Sequence, residues 1–322
     1  REITRYPVPY AAPFRRLLAR TLKLPEEHLL VGNGASDLIH LLFLHLQPRR
    51  LLLPAPTFGE YEQAAWLTGS AVQYWPLPPG TRPDLNSLKR SLQKADLAVF
   101  CNPNNPTGAY LPRSFMEELL DTAFNSGTRV MVDESFFPFT GRPPSESLVS
   151  LVPTHPNLWV LTSLTKLWAL PGLRLGYLAG PAIEIKALTD HGDPWRVNSL
   201  AQAAGMYCLK QTDFTAKTVE LVARERRYLE RHLAQLPELK IFSGKANFLL
   251  AEINTPDADS QDLYRYLGNR GLLIRDASNF RGLDQRYFRI AVRRRHENRR
   301  LISELQAYFK ERSKKSWYRP KP

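Results

Sequence analysis

Apolar runs alternate with segments of helical periodicity between residue 29 and about residue 181. The runs at 97–100, 130–132 and 158–161 are short and uninterrupted, which is typical of strands buried on both faces of a sheet. The stretch 114–124 instead repeats apolar residues at helical spacing. This alternation predicts a mainly parallel sheet whose strands are joined by crossover helices.

The chain changes character from residue 242 onward, after helices that join the two domains. Residues 198–232 have the pattern of one or two long helices, and strand-like runs follow at 247–252, 272–275 and 287–292. A helical pattern near 261–270 separates the first two of these runs, and a closing helix follows the third. This mixture predicts a small α+β domain after the large one.

These changes divide the chain into four parts. A helix-like stretch at 10–22 forms most of the first part. The predicted parts are an N-terminal arm at 1–24 that belongs to the small domain, a large domain at 25–232, a small domain at 233–312 and a basic, disordered tail at 313–322.

Length and composition fit an ordinary globular protein. The 322 residues are 43% hydrophobic and 23% charged, and they suffice for two domains. No apolar run approaches the roughly 18–20 residues of a membrane span, and the first residues do not resemble a signal peptide. The two cysteines offer no disulfide framework, and His40 and His45 lie five residues apart, which is not the spacing of a zinc pair. We therefore expect a cytoplasmic protein with no membrane partner and no metal.

The net charge of +13 favours an anionic partner. Basic clusters at 293–295, 299–300 and 314–315 are compatible with nucleic-acid binding, but the chain contains no recognisable nucleic-acid module. Small anionic ligands account better for several of the arginines. We therefore expect no nucleic-acid partner.

One lysine has an unusual setting. Lys166 follows the apolar run 158–161 through a short hydroxylated turn that contains Ser163, and a second apolar run begins at Arg174. Ser163 and Arg174 can hold a phosphate beside the amine, which suits an enzyme whose lysine binds an aldehyde cofactor. Taken alone, Lys166 fits a surface lysine in a turn better than a cofactor-binding lysine.

An asparagine- and proline-rich turn follows the strand predicted at 97–100. Residues 101–108 read CNPNNPTG, and their prolines and glycine fix a rigid turn at the carboxyl end of that strand. The carboxamide of Asn105 can donate there to a ring oxygen. The alternative is a generic loop.

An acid ends the next predicted strand. Asp133 follows the run 130–132, and the carboxyl ends of strands in an open α/β sheet face the ligand crevice. A buried aspartate at that place keeps a pyridine nitrogen protonated, which makes the ring an electron sink. A helix cap or a satisfied loop acid is the alternative.

Small residues at 31–37, VGNGASD, open the strongly apolar helix that continues from Leu38. The Ser36 and Asp37 pair resembles an N-cap, and the free N–H groups with the helix dipole form an anion site. A capped helix without a ligand is the common alternative.

These segments occur in the order glycine-rich helix start, CNPNNPTG turn, aspartate, lysine. The chain resembles the fold-type I pyridoxal 5'-phosphate (PLP) enzymes in this order and over nearly its whole length. The resemblance implies PLP as cofactor and the α/β architecture of the PLP-dependent transferase fold type I. That architecture has a mainly parallel, seven-stranded-type central sheet with helices on both faces and a small α+β domain.

Within this family the chain is similar to the histidinol-phosphate aminotransferase branch, and most similar to the L-threonine-O-3-phosphate decarboxylases of cobalamin biosynthesis. The narrower match lies in 163–166, 169–178, 194–200 and 282–292. Aminotransferases of the branch carry a tyrosine three residues after the aspartate. Phe136 stands there, which leaves Asn105 as the main donor to the ring oxygen and fits the decarboxylases better.

The resemblance implies the following roles. Lys166 and Asp133 are catalytic: Lys166 holds the cofactor covalently and transfers protons, and Asp133 pairs with the ring nitrogen. Asn105 donates to the ring oxygen, and Phe58 stacks on the ring. The remaining cofactor contacts, all to the phosphate, are Ala35, Ser36, Ser163, Arg174 and, from a neighbouring subunit, Tyr6.

Tyr6 therefore implies a homodimer with a shared active site, in which the N-terminal arm also takes part in the dimer contact. Arg289 grips the substrate carboxylate through its guanidinium fork, Arg275 faces the substrate phosphate, and Asn105 lies beside the substrate. The family also implies a segment before Arg5 that helps to close the substrate site.

The implied reaction is decarboxylation of L-threonine O-3-phosphate to (R)-1-amino-2-propanol O-2-phosphate and CO₂. Two alternatives stay open at this point. One is histidinol-phosphate transamination with glutamate and 2-oxoglutarate, because the bond held perpendicular to the cofactor ring decides the reaction. The other is a non-enzymatic PLP-fold regulator that binds nucleic acid.

Overall fold

The structure, a computed structural model, describes residues 4–316, with side chains described as far as Arg312. A seven-stranded sheet forms the large domain. The strands of this sheet are β1 (Leu29–Gly32), β2 (Arg50–Ala55), β3 (Ala71–Pro76), β4 (Leu97–Cys101), β5 (Arg129–Asp133), β6 (Leu158–Ser163) and β7 (Gly176–Ala179). They lie in the order β1-β7-β6-β5-β4-β2-β3, and β7 alone runs opposite to the other six.

Helices connect these strands and lead out of the large domain. They are α1 (Ala12–Leu22), α2 (Ala35–Leu46), α3 (Glu60–Leu67), α4 (Leu85–Leu92), α5 (Arg113–Asn125), α6 (Ala182–Asp190), α7 (Ser199–Cys208) and α8 (Thr212–Leu233). The long helices predicted at 198–232 are therefore present as α7 and α8.

Each face of the large sheet is covered, because successive side chains of a strand point to opposite faces. Ala98 and Phe100 of β4 pack in one apolar cluster with residues of α1, α4 and α5. Leu97 and Val99 of the same strand pack in a second cluster with residues of α2, α3 and α6. This confirms the predicted architecture of a mainly parallel sheet with helices on both faces.

The small domain consists of β8 (Leu239–Phe242), β9 (Phe248–Ile253), α9 (Ser260–Gly268), β10 (Arg275–Asp276), β11 (Tyr287–Ala291) and α10 (Arg295–Ser316). Its strands form a four-stranded antiparallel sheet in the order β10-β11-β9-β8. The strand predicted at 272–275 is wrong over most of its length, since only Arg275 and Asp276 pair with β11.

The N-terminal arm packs on the large domain, which corrects its assignment to the small one. Phe14 and Leu18 of α1 are fully buried in the cluster that contains Leu29, Val31 and Leu175. Burying two large apolar side chains against the sheet outweighs any tendency of the arm to stay separate.

The predicted basic tail is also corrected in part. The backbone of α10 continues to Ser316, so the disorder predicted from residue 313 does not begin there. The rest of the predicted tail, 317–322, lies outside the described residues. No helix within residues 4–316 combines the length and apolar content that a bilayer crossing requires.

Candidate active site

The carboxyl ends of adjacent strands bring the predicted residues together. Strands β4, β5 and β6 are parallel and in register, with Asp133 opposite Cys101 on one side and Leu161 on the other. Asn105 follows the end of β4, Asp133 ends β5, and Lys166 follows the end of β6. These side chains therefore meet at one edge of the sheet, as the strand pattern predicts.

Asp133 is a buried carboxyl with two donors. It is 4% exposed; the Tyr61 hydroxyl donates to its Oδ2 at 2.7 Å, and the backbone N–H of Ser135 donates to its Oδ1 at 2.8 Å. Burial raises the pKa of Asp133, while the hydrogen bonds from Ser135 and Tyr61 and the charge of Lys166 act in the opposite direction. A buried carboxylate of this kind calls for a cationic partner.

The end of β6 is tied to the loop after Asp133. The backbone N–H of Ser163 donates to the Ser135 hydroxyl at 2.8 Å, and the hydroxyls of Ser163 and Thr165 lie 2.8 Å apart. All three side chains are buried. This network fixes the turn that presents Lys166 relative to Asp133.

Lys166 lies at this edge of the sheet; the residue as a whole is exposed, but its amine is partly buried. Partial burial of its amine lowers the pKa, as do the charges of Arg174 and Arg289, while the charge of Asp133 raises it. A lowered pKa leaves more of the amine neutral and nucleophilic near neutral pH.

The start of α2 forms a cradle with Arg174. Gly34 precedes the helix with φ of 86°, and a Cβ on Gly34 would lie 2.6 Å from a terminal nitrogen of Arg174. A Cβ on Gly176 would lie 3.0 Å from the backbone nitrogen of Ala35. Glycine at both places therefore lets the guanidinium and the first turn of α2 approach each other.

Gly34 occupies the N-cap position, not the predicted Ser36 and Asp37 pair. Asp37 is instead paired on both oxygens, accepting from the backbone N–H of Asn33 at 2.9 Å and from Arg196 at 2.9 Å. With that carboxylate neutralised, the helix start presents N–H groups, the Ser36 hydroxyl and a nearby guanidinium. Such a donor set suits a phosphate.

Asn105 and Arg289 form a second polar group. Arg289 donates to the carboxamide oxygen of the buried Asn105, which leaves the Asn105 amide group as a donor. The Arg289 guanidinium also lies 4.7 Å from the centre of the Phe248 ring. Phe136 packs edge-on against Phe248, with ring centres 5.0 Å apart.

Arg275 and Arg289 lie opposite each other on β10 and β11. Burial lowers the pKa of Arg289 to about 10, and the positive charge of Arg275 contributes. Arg275 donates to Asn279 at 2.9 Å and to the backbone carbonyl oxygen of Asp276 at 2.6 Å, and like Arg289 it lines a cavity between the domains. Two neighbouring guanidiniums of this kind favour a ligand with negative charge.

A cavity of about 340 Å³ lies between elements of the large and small domains. Four predicted residues line it: Phe58, Asn105, Arg275 and Arg289. Arg289 links this cavity to Lys166, since its charge acts on that amine. Lys166 and Asp133 are not among the residues that line this cavity.

Sequence reasoning missed part of the cavity wall. Arg281 of the small domain donates to Glu62 of α3 at 2.8 Å, and its guanidinium lies 4.0 Å from the centre of the Tyr74 ring. Tyr74 also donates to Glu62. Glu62 and Arg281 are 219 residues apart in the chain, so no local pattern marks them as a pair.

Tyr6 is 84% exposed, and its ring lies 5.5 Å from that of Trp195. The structure therefore places this tyrosine at the surface of one chain, beside another exposed aromatic residue. Exposed aromatic side chains that sit together are typical of interaction surfaces.

Glu134, next to Asp133, is a buried acid with a structural role. The backbone N–H of Leu148 donates to it at 2.9 Å, and Ser147 also donates. Burial raises the pKa of Glu134 from 4.5 to about 7. A raised pKa in the folded state contributes stability below pH 4.5, which is lost as the pH rises through 7.

We therefore predict that Glu134→Gln reduces the pH dependence of stability. Between pH 5 and pH 8, the free energy of unfolding of the wild type, measured in urea, should fall by up to about 3 kcal/mol more than that of the variant. Glu220→Gln, at an exposed position of α8, is the control and should follow the wild type. Parallel curves for wild type and Glu134→Gln would contradict this account of Glu134.

Comparison with known proteins gives three kinds of match. The model of the family described as aminotransferase class I and II matches residues 1–305. A threonine-phosphate decarboxylase of Salmonella typhimurium is 33% identical, with 94% of this chain and 83% of the relative covered. A histidinol-phosphate aminotransferase of Desulfitobacterium hafniense is 36% identical, with the same two coverages.

A solved structure agrees with this. The L-threonine-O-3-phosphate decarboxylase of Porphyromonas gingivalis superposes with a TM-score of 0.85 at 27% identity, covering 96% of this chain and 91% of that one.

Proposed function

The chain belongs to the aminotransferase class I and II family, and from that membership we propose that it decarboxylates L-threonine O-3-phosphate. The products are (R)-1-amino-2-propanol O-2-phosphate and CO₂. The protein is a PLP-dependent enzyme, and the proposal places its reaction in cobalamin biosynthesis.

One observation carries the choice of reaction. Phe136 is buried against Phe248 and has no hydroxyl to offer the cofactor, whereas aminotransferases of the related branch carry a tyrosine three residues after the aspartate. Asn105, whose amide group is left as a donor by Arg289, is then the main partner of the ring oxygen. Relatives named threonine-phosphate decarboxylases support the same choice.

The residues present fit PLP. In this proposal the cradle of Ala35, Ser36 and Arg174 would hold the phosphate together with Ser163 of β6, which lies opposite Gly176, because these groups offer hydrogen-bond donors and positive charge. Phe58 covers one face of the ring. When bound, PLP supplies an electron sink for the pair of electrons that CO₂ leaves behind.

Asp133 and Lys166 control protons in this proposal. Asp133 keeps a proton on the ring nitrogen, since its buried carboxylate is stabilised by a cation directly beside it. Lys166 holds the cofactor through its amine. Lys166 would also deliver the proton that replaces the lost carboxylate, and its lowered pKa suits both tasks.

Arg289 and Arg275 orient the substrate. We propose that Arg289 binds the carboxylate and Arg275 the phosphate, because the two guanidiniums face one cavity from neighbouring strands. Asn105 accepts a hydrogen bond from Arg289 and lines the same cavity. By fixing the substrate carboxylate, Arg289 would favour loss of CO₂ over loss of the α-proton.

We further propose a homodimer with a shared site. The exposed Tyr6, beside Trp195, would reach the cofactor phosphate of a second subunit. The large domain is proposed to end near residue 232 and the small domain to follow from residue 233.

The test of this function is a product assay with L-threonine O-3-phosphate and PLP. We expect release of CO₂ and no conversion of 2-oxoglutarate to glutamate. Glutamate formation with histidinol phosphate, without CO₂ from threonine phosphate, would instead establish the aminotransferase.

Arg289→Ala is predicted to weaken substrate binding. Removing the guanidinium leaves the substrate carboxylate without its fork, and the rise in KM should correspond to about 2–4 kcal/mol. Steady-state kinetics with threonine phosphate measures it. Arg293→Ala removes an exposed arginine that pairs with Glu297, and it should leave KM unchanged. An unchanged KM for Arg289→Ala would show that this arginine is structural.

A further inference from the structure

Tyr61 is a fully buried tyrosine whose hydroxyl reaches the carboxyl group of the site. It lies in the first turn of α3, and its hydroxyl donates to Asp133 Oδ2 at 2.7 Å. The other oxygen of Asp133 accepts from the backbone N–H of Ser135. Each oxygen therefore has one fixed donor, which orients the plane of the carboxyl group.

The ring of Tyr61 makes a second contact with the site. It meets Phe58 edge-on, with ring centres 5.6 Å apart and planes at 85°. Phe58 is the side chain proposed to cover the cofactor ring. Tyr61 thus touches both Asp133 and Phe58, the two side chains that the proposed function places against the cofactor.

The hydroxyl of Tyr61 remains a donor across the working pH range. Burial raises the pKa of Tyr61 well above its usual value, and the negative charge of Asp133 adds to the shift. The other titratable groups that act on Asp133 or on its partner are Cys101, Glu134 and Lys166. Of these, only Lys166 is positively charged, and it is proposed to be occupied in holding the cofactor.

The hydrogen bond from Tyr61 favours a proton on the cofactor ring nitrogen over a proton on Asp133. A phenol that donates to a carboxylate stabilises the ionised form of that carboxylate. Without the phenol, Oδ2 would lose that hydrogen bond, and Asp133 would bind a proton more readily. The proton would then move from the ring nitrogen towards the acid.

We propose that Tyr61 is a positioning residue, which holds Asp133 ionised and aimed at the cofactor ring nitrogen while its own ring supports Phe58. The inference rests on the proposed PLP site.

Tyr61→Phe tests the inference, because it removes only the hydroxyl and keeps the buried ring. The control is Tyr308→Phe, which removes another buried tyrosine hydroxyl, one without a hydrogen-bond partner among the described residues. PLP titration of each apoprotein, followed by absorbance, should give a Kd about 10- to 100-fold higher for Tyr61→Phe than for the wild type. Tyr308→Phe should bind as the wild type does.

The protonation of the cofactor gives a second readout. With PLP labelled with ¹⁵N in the ring, the nitrogen resonance at neutral pH should be that of a protonated pyridine in the wild type and in Tyr308→Phe. In Tyr61→Phe it should move towards the unprotonated value. A merely structural role of Tyr61 would not move this resonance.

The outcomes separate the inference from the function it rests on. Wild-type protein that does not bind PLP would overturn the proposed function. Wild-type protein that binds PLP, together with a Tyr61→Phe variant of equal Kd and equal nitrogen resonance, would overturn the role of Tyr61 alone.

A measurement on the wild type covers the case in which Tyr61→Phe does not fold. With tyrosine labelled with ¹³C at the hydroxyl-bearing carbon, the Tyr61 resonance should shift when PLP binds, because its acceptor gains a new partner. The other buried tyrosines, removed by Tyr177→Phe and Tyr308→Phe, allow its assignment. A Tyr61 resonance that ignores PLP would overturn the inference.

Discussion

Lys166→Ala is expected to give a folded protein that binds PLP without covalent attachment and loses nearly all activity. Without the amine there is no group to hold the cofactor aldehyde and none to return a proton to the substrate carbon. Loss of the proton transfer alone should lower kcat by about 10²- to 10⁴-fold. The decarboxylation assay and the visible absorbance of the lysine-bound cofactor measure the two effects separately.

The setting of Lys166 gives the physical reason for this expectation. Its pKa is lowered by partial burial and by the charges of Arg174 and Arg289, so the amine is prepared for nucleophilic attack. Lys186→Ala is the control, since Lys186 is an exposed lysine that pairs with Asp190 on α6. It should retain full activity. Persistence in Lys166→Ala of the absorbance characteristic of a lysine-bound cofactor would show that another lysine holds it.

Asp133→Asn should have the second-largest effect. The change keeps the size of the side chain but removes the charge that stabilises a protonated ring nitrogen. Loss of one partner from a buried charge pair costs about 3–5 kcal/mol, and we expect a loss of that size in kcat/KM together with weaker PLP binding.

Asp121→Asn, on the exposed face of α5, is the control for Asp133→Asn and should behave as the wild type. PLP titration and steady-state kinetics of the two variants give the comparison. If Asp133→Asn retained wild-type kcat/KM, the proton on the ring nitrogen would not depend on this acid.

Much of the site could be predicted from sequence because it follows from strand order. Asn105, Asp133 and Lys166 each come directly after an apolar strand, and the carboxyl ends of adjacent parallel strands meet at one edge. Arg275 and Arg289 could be named because the resemblance to the PLP enzymes implies them. The mainly parallel sheet and the small α+β domain followed from the hydrophobic pattern, and the seven-stranded type of the sheet followed from the resemblance.

The remaining contacts depend on tertiary packing that local patterns do not encode. Tyr61 lies 72 residues before Asp133, and nothing in α3 distinguishes it from an ordinary core aromatic residue. Its spacing of three residues from Phe58 was the one available signal. The bridge between Glu62 and Arg281 crosses two domains and left no local signal at all.

The errors have the same origin. The arm does not pack with the small domain as predicted, because Phe14 and Leu18 are buried against the large sheet. The run at 272–275 is apolar enough for a strand, yet the short edge strand β10 pairs only through Arg275 and Asp276. Pairing partners, not the hydrophobic pattern alone, set its length.

The central claim is that the amine of Lys166 holds PLP next to Asp133. Its most direct test is borohydride reduction of the PLP-loaded wild-type protein, followed by proteolysis and mass spectrometry of the peptides. The account predicts a reduced PLP adduct on the peptide that contains Lys166 and on no other lysine peptide. An adduct on a different lysine, or none in a protein that binds PLP, would contradict it.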